Sequence, residues 1–504
     1  MSALKRTIQY AGLSALGIGS KIFKGQDLSR AVKRAMANKM TGMKGIPLKI
    51  NQILGMSEKD SSEIYRQALE NIEPMPFEEV KKLIYEACPE LLIGATLKQE
   101  FQCASLGQVC HIIKDGMEYA VKVQYPDSGK NMNLDNKAFD LMTSCFQNFS
   151  RGFDMNEYEK MLKQELSLEL DYLYEQEMQH EFIKIFSGNH NIIIPMSLKK
   201  YSTAKCLVMS WEPSLTLDDF MALASDEQKK MAAGLMVDFY MNSVFNHGLL
   251  HADPNPGNFG FRIFGDRVQL VVYDFGSVVK LDNEKHMALL SLFDLCMKKR
   301  NPLPALIKLN FKKDLLEVVS DRLHALMIVL LQPFLSEGVF EYESWNRKEK
   351  VNDILGEQRW NFMAAAPADL FLFMRSVFGL FFYTGKLTGR IFCNRHVKES
   401  LDRFRTKIDE LENQFGEDSE KLVEISNYLI VSVKENGFQK VKLTLPATSV
   451  DNLKNFIPQD VESKLKKKDI SLECLLSEVR RKGYKPQTVF SLVDENKEVT
   501  VFLE

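Results

Sequence analysis

The chain has almost no net charge. Its 65 Lys and Arg stand against 67 Asp and Glu over 504 residues, a balance of −2, so nothing global points to nucleic acid. Cysteine is scarce and scattered. The eight residues run from Cys88 to Cys474 without a Cys-x-x-Cys pair, which argues against a zinc site or a disulfide framework and for a reducing compartment. Cys103 and Cys110 read as small packing residues. A long uninterrupted apolar run is also missing. The most apolar stretch, 362–382, contains Pro367, Asp369 and Arg375, so it reads as a buried helix and not as a bilayer span. No secretory signal stands out, because the apolar stretch 11–18 is short and Gly-rich. What remains is an ordinary globular composition, 45% hydrophobic and 26% charged, at a length that predicts two or more domains.

The most informative stretch is 247–276. It reads His247-Gly-Leu-Leu-His251-Ala-Asp253-Pro-Asn-Pro-Gly-Asn258 and, after a β-type run at 268–273, Asp274-Phe-Gly276. One acid and one amide sit five residues apart on a loop, and a second acid ends a following strand. This is the layout of a phosphotransfer centre. Asp253 would orient or deprotonate a nucleophile, while Asn258 and Asp274 would hold Mg²⁺ against nucleotide phosphates. Hard oxygen donors suit Mg²⁺, which needs only one or two protein ligands beside phosphate and water.

Upstream, Asp115-Gly116 lies between two β-rich runs and marks a hairpin. A loop of small residues, Ala104 and Ser105 before Gly107 and Gln108, opens that hairpin, and Lys122 sits in its second arm. The loop has one glycine and no Gly-rich series, so its backbone approaches phosphate less freely. In Val-Lys122-Val the neighbours point to the opposite face. A lysine facing a cleft there needs an anionic partner such as a phosphate. A single helix is predicted over 156–186, carrying Glu165, Glu169, Asp171, Glu175 and Glu177. Glu175 is the choice to pair with Lys122, and Glu169 and Asp171 reach elsewhere or to another base. A strand at 205–210 then ends at Trp211-Glu212-Pro213, where a linker between lobes would offer backbone groups to adenine.

Together these segments resemble the UbiB family of atypical protein-kinase-like proteins, which includes the AarF and ADCK proteins. Lys49-Ile-Asn-Gln52 matches the family's Lys-x-Gly-Gln motif, and Ala104-Ser-Leu-Gly-Gln108 its alanine-rich loop. Ala-Val-Lys122 matches the strand lysine, and Glu169-Leu-Asp171 with Glu175 the Glu-x-Asp motif and helix glutamate. The resemblance spans about residues 40–400. It implies an α+β, two-lobed protein-kinase-like fold with an amino-terminal helical extension. ATP and Mg²⁺ are the implied cofactors. Ala104, Ser105, Gly107, Gln108 and Lys122 would line the nucleotide, and Lys122 and Glu175 would form a phosphate-positioning ion pair. Lys49 and Gln52 would lie over the site as a lid, with Lys49 meeting Glu169 or Asp171 and excluding a protein substrate. The implied function is a kinase-like ATPase in ubiquinone or other prenyl-lipid metabolism at a membrane, with a lipid or quinone precursor as a further ligand. Asn51 stands where the motif has glycine, and Cys103-Ala-Ser where the family has a longer alanine run. His-Arg-Asp is absent, so control by activation-loop phosphate is not expected.

The flanks are read separately. Residues 1–44 carry Lys5, Arg6, Lys21, Lys24, Arg30, Lys33, Arg34, Lys39 and Lys44 against one acid, Asp27. Three readings stay open for this arm: a solvated helical face, a mitochondrial transit sequence, or attraction to an anionic membrane at ~1 kcal/mol per Lys or Arg. The predicted location is cytoplasmic or peripheral to a membrane, mitochondrial in a eukaryote, without a transmembrane segment. The predicted divisions are a basic helical extension at 1–90, an N-lobe at 91–213, a helical C-lobe at 214–435 and a small carboxy-terminal α/β module at 436–504. Two rival functions remain: a small-molecule phosphotransferase of aminoglycoside-kinase type, against which Lys49–Gln52 and Glu169-x-Asp171 speak, and a non-catalytic nucleotide-binding scaffold.

Overall fold

A computed structural model describes residues 34–35, 37–39, 74–103, 106–126, 155–416, 425–494 and 496–504. The chain divides into two compact units, Met1–Lys280 with Ala368–Thr388, and Leu281–Pro367 with Gly389–Glu504.

In the first unit, helix α1 (Phe77–Ala87) precedes strands β1 (Ala95–Cys103), β2 (Gly107–Lys114) and β3 (Met117–Gln124). Asp115 and Gly116 form the β2–β3 turn with φ of 53° and 77°. Both values are positive, as a two-residue hairpin loop requires. That turn sets the register. Cys110 pairs with Val121, and Val109 with Lys122. Strand β5 (Cys206–Ser210) adds Val208 beside Val121 and Leu207 beside Lys122, giving the antiparallel order β1-β2-β3-β5. Cys110, Ile112, Val121 and Val208 pack on Val80 and Ile84 of α1. Each fully buried aliphatic side chain contributes roughly 1.5–3 kcal/mol. A one-residue slip would expose the whole set, so the same packing holds Lys122 on the opposite face, with Ala120, Leu207 and Met209.

The helix expected over 156–186 is two helices, α2 (Met155–Glu169) and α3 (Tyr172–Phe186). Asp171 makes the break. Its side chain accepts from the Leu173 N–H at 3.0 Å and caps α3. A side chain that bonds nearby backbone competes with helix continuation. Beyond the short strand β4 (Ile192–Ile193), helix α4 (Asp226–Met241) opens on the Ser225–Gln228 capping box. It ends in a π turn, Asn242–Asn246, that feeds β6 (Leu249–His251). Strands β7 (Phe259–Phe264) and β8 (Arg267–Val272) form a hairpin, with β4 parallel to β8, and β9 (Val278–Lys280) pairs with β6.

The apolar run 362–382 is split. One helix ends at Ala365, and α5 (Leu370–Thr388) starts after Pro367. Proline lacks an N–H and disfavours helix in the preceding residue. By length and composition α5 is apolar enough to cross a membrane, yet half of its apolar window is buried. Its buried face includes Arg375, Ser376, Gly379 and Tyr383.

The second unit holds helices such as Asn283–Met297, Leu323–Leu335 and Asn394–Arg403, and a carboxy-terminal antiparallel sheet. The sheet comprises β10 (Tyr428–Glu435), β11 (Phe438–Pro446), β12 (Gln487–Asp494) and β13 (Lys497–Leu503), in the order β11-β10-β13-β12. The change of character near residue 436 is the Asn436-Gly437 turn inside this sheet, with φ of 52° and 81°. The sheet therefore begins eight residues before that turn, at Tyr428. Arg480 ties the module to the helix Arg347–Leu355. It bonds Glu349 and Asp353 there at 3.0 and 2.9 Å, and Asp451 at 2.8 Å.

Candidate active site

Lys122 is the hub of the site. Its Nζ lies 2.7 and 2.8 Å from the two carboxylate oxygens of Glu175, in the first turns of α3, and 2.7 Å from Asp274 Oδ2. It also sits over the Tyr172 ring, 5.1 Å from its centroid. Lys122 is 7% exposed and Glu175 1%. Burial disfavours the ammonium, but the Asp274 and Glu175 carboxylates outweigh it and hold the lysine pKa well above its ordinary value. Burial also works against the Asp274 carboxylate, yet Lys122 holds it below the usual range. Glu175 differs: burial, then the Asp274 charge, push its carboxyl up to about 7 against the pull of Lys122. Two acids share one base, and Glu175 is the one that takes up a proton near neutrality.

The loop after β6 supplies the other groups. His251 is fully buried, and its Nε2 donates to the Asp274 backbone carbonyl at 2.7 Å. Burial lowers its pKa, so the ring is neutral with its proton on Nε2. It packs in an aromatic cluster with Phe259 and Phe275, centroids at 5.3 and 5.7 Å, which seats the Asp274-Phe-Gly276 turn. Asn258 Nδ2 donates to the Asp253 carbonyl at 3.0 Å. Its Oδ1 is thereby the amide atom suited to a cation. Asp274 Oδ1 accepts from the Gly276 N–H at 2.9 Å. The oxygens of Asn258 and Asp274, with an ammonium beside them, fit Mg²⁺ carried by a polyphosphate. One other acid cluster among the described residues, Asp294, Asp409 and Glu412, is neutralised instead. Lys298 and Arg405 reach Asp294 at 2.5 and 2.8 Å.

Residues 67–301 match the family model described as the ABC1 atypical kinase-like domain. The chain is 20% identical over 394 residues to "Atypical kinase COQ8B, mitochondrial" of Rattus norvegicus, covering 75% of this chain and 73% of the rat protein. It is 27% identical to "Protein ACTIVITY OF BC1 COMPLEX KINASE 7, chloroplastic" of Arabidopsis thaliana, over 39% of this chain and 28% of that one. Among solved structures, Rv3197 of Mycobacterium tuberculosis, in complex with erythromycin, covers 71% of this chain and 93% of its own at 22% identity and a TM-score of 0.48. Residues 67–301 carry an ABC1 atypical kinase-like domain.

The segments that resemble UbiB motifs lie in different parts of the first unit. Lys122, Glu175 and Asp274 meet directly, and Asp253 and Asn258 share the adjoining loop. Glu169 is buried beside the Gly276 turn, where its Cγ lies 3.6 Å from the position a Gly276 Cβ would take. Asp171 is exposed and committed to capping α3. Gly107 is sterically required. A Cβ there would collide with the Val123 carbonyl and lie 2.5 Å from the Tyr172 hydroxyl. Gln108 departs from the expected nucleotide contact. Its side chain lies on the α1 face, away from Lys122, and accepts from the Met75 N–H at 2.6 Å. Only its backbone borders the loop. Lys49, Gln52, Ala104 and Ser105 lie outside the described residues.

From the sequence, Arg375 reads as a charge in an apolar helix that needs a buried acid, but the acid it meets and the way α5 lies on the loop after β6 are not legible there. The Arg375 guanidinium bonds the Asp253 carboxylate, both groups being buried. Ser376 Oγ donates to the His251 carbonyl at 2.8 Å, and a Cβ on Gly379 would collide with the Pro254 ring. Arg375, Gly379 and Tyr383 stand four residues apart on one helix face. The signal was a polar-and-small stripe within an apolar helix, of which only Arg375 stood out.

The raised Glu175 pKa makes stability depend on pH. A carboxyl at about 7 when folded, against an ordinary 4.5, binds its proton more tightly in the native state. Its favourable contribution is full below 4.5 and is lost as pH rises through 7, on the order of 3 kcal/mol in all. Without nucleotide, the melting temperature of wild type should fall relative to Glu175→Gln between pH 5 and 7.5. Parallel profiles would show that Glu175 does not titrate there.

Proposed function

We propose that this protein is an atypical kinase-like ATPase that binds Mg-ATP. The observation that carries the reading is the Lys122 ammonium held between Glu175 and Asp274, beside a loop that presents Asp253 and Asn258. Lys122 would contact the phosphates, and Glu175 would keep it pointed at them. Asn258 and Asp274 would hold Mg²⁺, which neutralises charge developing on the transferred group. Asp253 would orient the attacking hydroxyl or water from its place on the loop. Binding would draw Asp274 from Lys122 toward the cation and leave the lysine with Glu175 alone.

We further propose that the activity supports ubiquinone or other prenyl-lipid metabolism at a membrane surface, with a lipid or quinone precursor as ligand. The mitochondrial name of the rat relative and the basic arm at 1–44 support this. The lid role of Lys49 and Gln52, with Lys49 meeting Glu169 or Asp171, belongs to the same reading.

The test is Mg²⁺-dependent ATP hydrolysis by the purified chain, with and without anionic liposomes, beside Asp274→Asn. Hydrolysis that is lost in the variant and stimulated several-fold by anionic liposomes supports both parts. Equal rates with neutral and anionic vesicles would remove the membrane part. Wild-type turnover retained by Asp274→Asn would remove the nucleotide centre. ATP binding without turnover in any condition would favour a scaffold, and a phosphorylated small molecule from a substrate screen would favour a phosphotransferase.

A further inference from the structure

Tyr273 immediately precedes Asp274, and its backbone N–H donates to the Asn258 carbonyl at 3.0 Å. Its backbone thus sits between the two residues assigned to the metal. Its side chain reaches the other end of the site. The phenol donates to the Glu212 carbonyl at 2.6 Å and lies 2.7 Å from Ser214 Oγ. A phenol has one proton. With that proton on the carbonyl, the oxygen accepts from the Ser214 hydroxyl. The same segment is stitched to β7. Arg262 Nε donates to the Pro213 carbonyl at 2.6 Å, its Nη2 pairs with the Glu212 carboxylate, and Leu215 and Phe261 exchange backbone bonds of 2.8 and 3.0 Å. On the other side, the Trp211 N–H is fixed on the Glu118 carbonyl of β3 at 3.1 Å.

Gly260 of β7 makes room for this. A Cβ there would collide with Ser214 Oγ, lie 2.7 Å from Ser214 Cβ and 3.2 Å from the Tyr273 ring. The Ser214–Tyr273 pair fills the space a side chain at 260 would take. Across that space, one phenol joins the interlobe linker to the metal-binding pair.

We infer that Tyr273 is a positioning residue for the nucleotide base: its phenol fixes the 211–214 linker relative to Asn258 and Asp274. This rests on reading the site as a Mg-ATP centre. Base and phosphates of one nucleotide must be gripped at a fixed separation. On that reading the linker would offer its backbone to the base, and Lys122 with Asn258 and Asp274 would hold the phosphates. Tyr273 touches both ends, and its loss should weaken ligands that span them while sparing ligands that occupy the phosphate end alone.

The experiment compares wild type, Tyr273→Phe, Gly260→Ala and the double variant Gly260→Ala/Ser214→Gly. Titrations of Mg-ATP and of magnesium tripolyphosphate, which has no base, are set beside kcat and KM for ATP hydrolysis. Tyr273→Phe should raise the ATP Kd and KM roughly three- to tenfold, the range for one lost hydrogen bond. Its kcat and tripolyphosphate Kd should stay within about twofold. Gly260→Ala should reproduce the split by displacing Ser214, and the double variant should largely reverse it. Unliganded melting temperatures check that the variants fold. If Tyr273→Phe binds ATP as wild type does, the inference falls while the Mg-ATP reading stands. If ATP and tripolyphosphate weaken equally, the phenol supports the pocket as a whole and the inference also falls. Wild type that binds neither ligand overturns both.

Discussion

Replacing Arg375 with methionine is expected to destabilise the protein by about 3–5 kcal/mol, the usual cost of removing one partner from a buried ion pair. The pair is Arg375–Asp253, with relative exposures of 6% and 7%. The methionine fills a similar volume, so the loss is electrostatic and not a cavity. Asp253→Asn takes the carboxylate away from the guanidinium and should also destabilise. The double variant removes both charges and should recover most of the loss, because no uncompensated charge is left buried. Arg375→Lys should fall between, since a point ammonium lacks the planar fork of a guanidinium. Denaturant midpoints of the four proteins measure this coupling. A double variant destabilised by the sum of the two single losses would show that the two groups act independently. Activity should not follow stability. The double variant regains its fold but has no carboxylate at 253, so its ATP turnover should stay low.

That pair marks where the sequence stopped being readable. Asp253, Asn258 and Asp274 are close in the chain, so their spacing specifies a loop and a strand end. Lys122 and Glu175 are 53 residues apart, but each lies in an element with a legible face or a required partner. Arg375 is 122 residues beyond Asp253, on a helix whose apolar stripe says only that it is buried. Nothing local names the acid it meets. The helix break at Asp171 was hidden for a different reason: a short acidic side chain stops a helix only when the chain turns there, and acids recur throughout 156–186. Gln108 was decidable. A two-residue turn at Asp115-Gly116 pairs Lys114 with Met117 and hence Gln108 with Val123, one step out of phase with Lys122. Counting back from the turn places its side chain on the far face. The carboxy-terminal module shows the reverse error. Asn436-Gly437 is a strong turn signal, and a turn within a sheet resembles a boundary when the preceding strand, with its unbroken Leu429-Ile430-Val431, also fits a helix end.

Asp274→Asn is expected to lower Mg-ATP turnover by at least about a hundredfold, the scale for losing a group that stabilises developing charge, while leaving the unliganded fold intact. The second half distinguishes it from Arg375→Met. Arg375 and Asp253 are partners in one ion pair, whereas Asp274 is one of two carboxylates crowded on Lys122. Its charge is, after burial, the largest cause of the raised Glu175 pKa. The asparagine should let the Glu175 carboxyl fall toward its ordinary range and relieve the repulsion between the two acids. Lys122 keeps Glu175 as a partner, so the unliganded variant should lose less stability near pH 7 than Arg375→Met, and its melting temperature should depend less on pH between 5 and 7.5. Thermal shift completes the test. Mg-ADP should raise the wild-type melting temperature and raise that of Asp274→Asn much less. Turnover within tenfold of wild type, or a destabilisation as large as that of Arg375→Met, would mean that Asp274 braces the fold and does not serve the nucleotide.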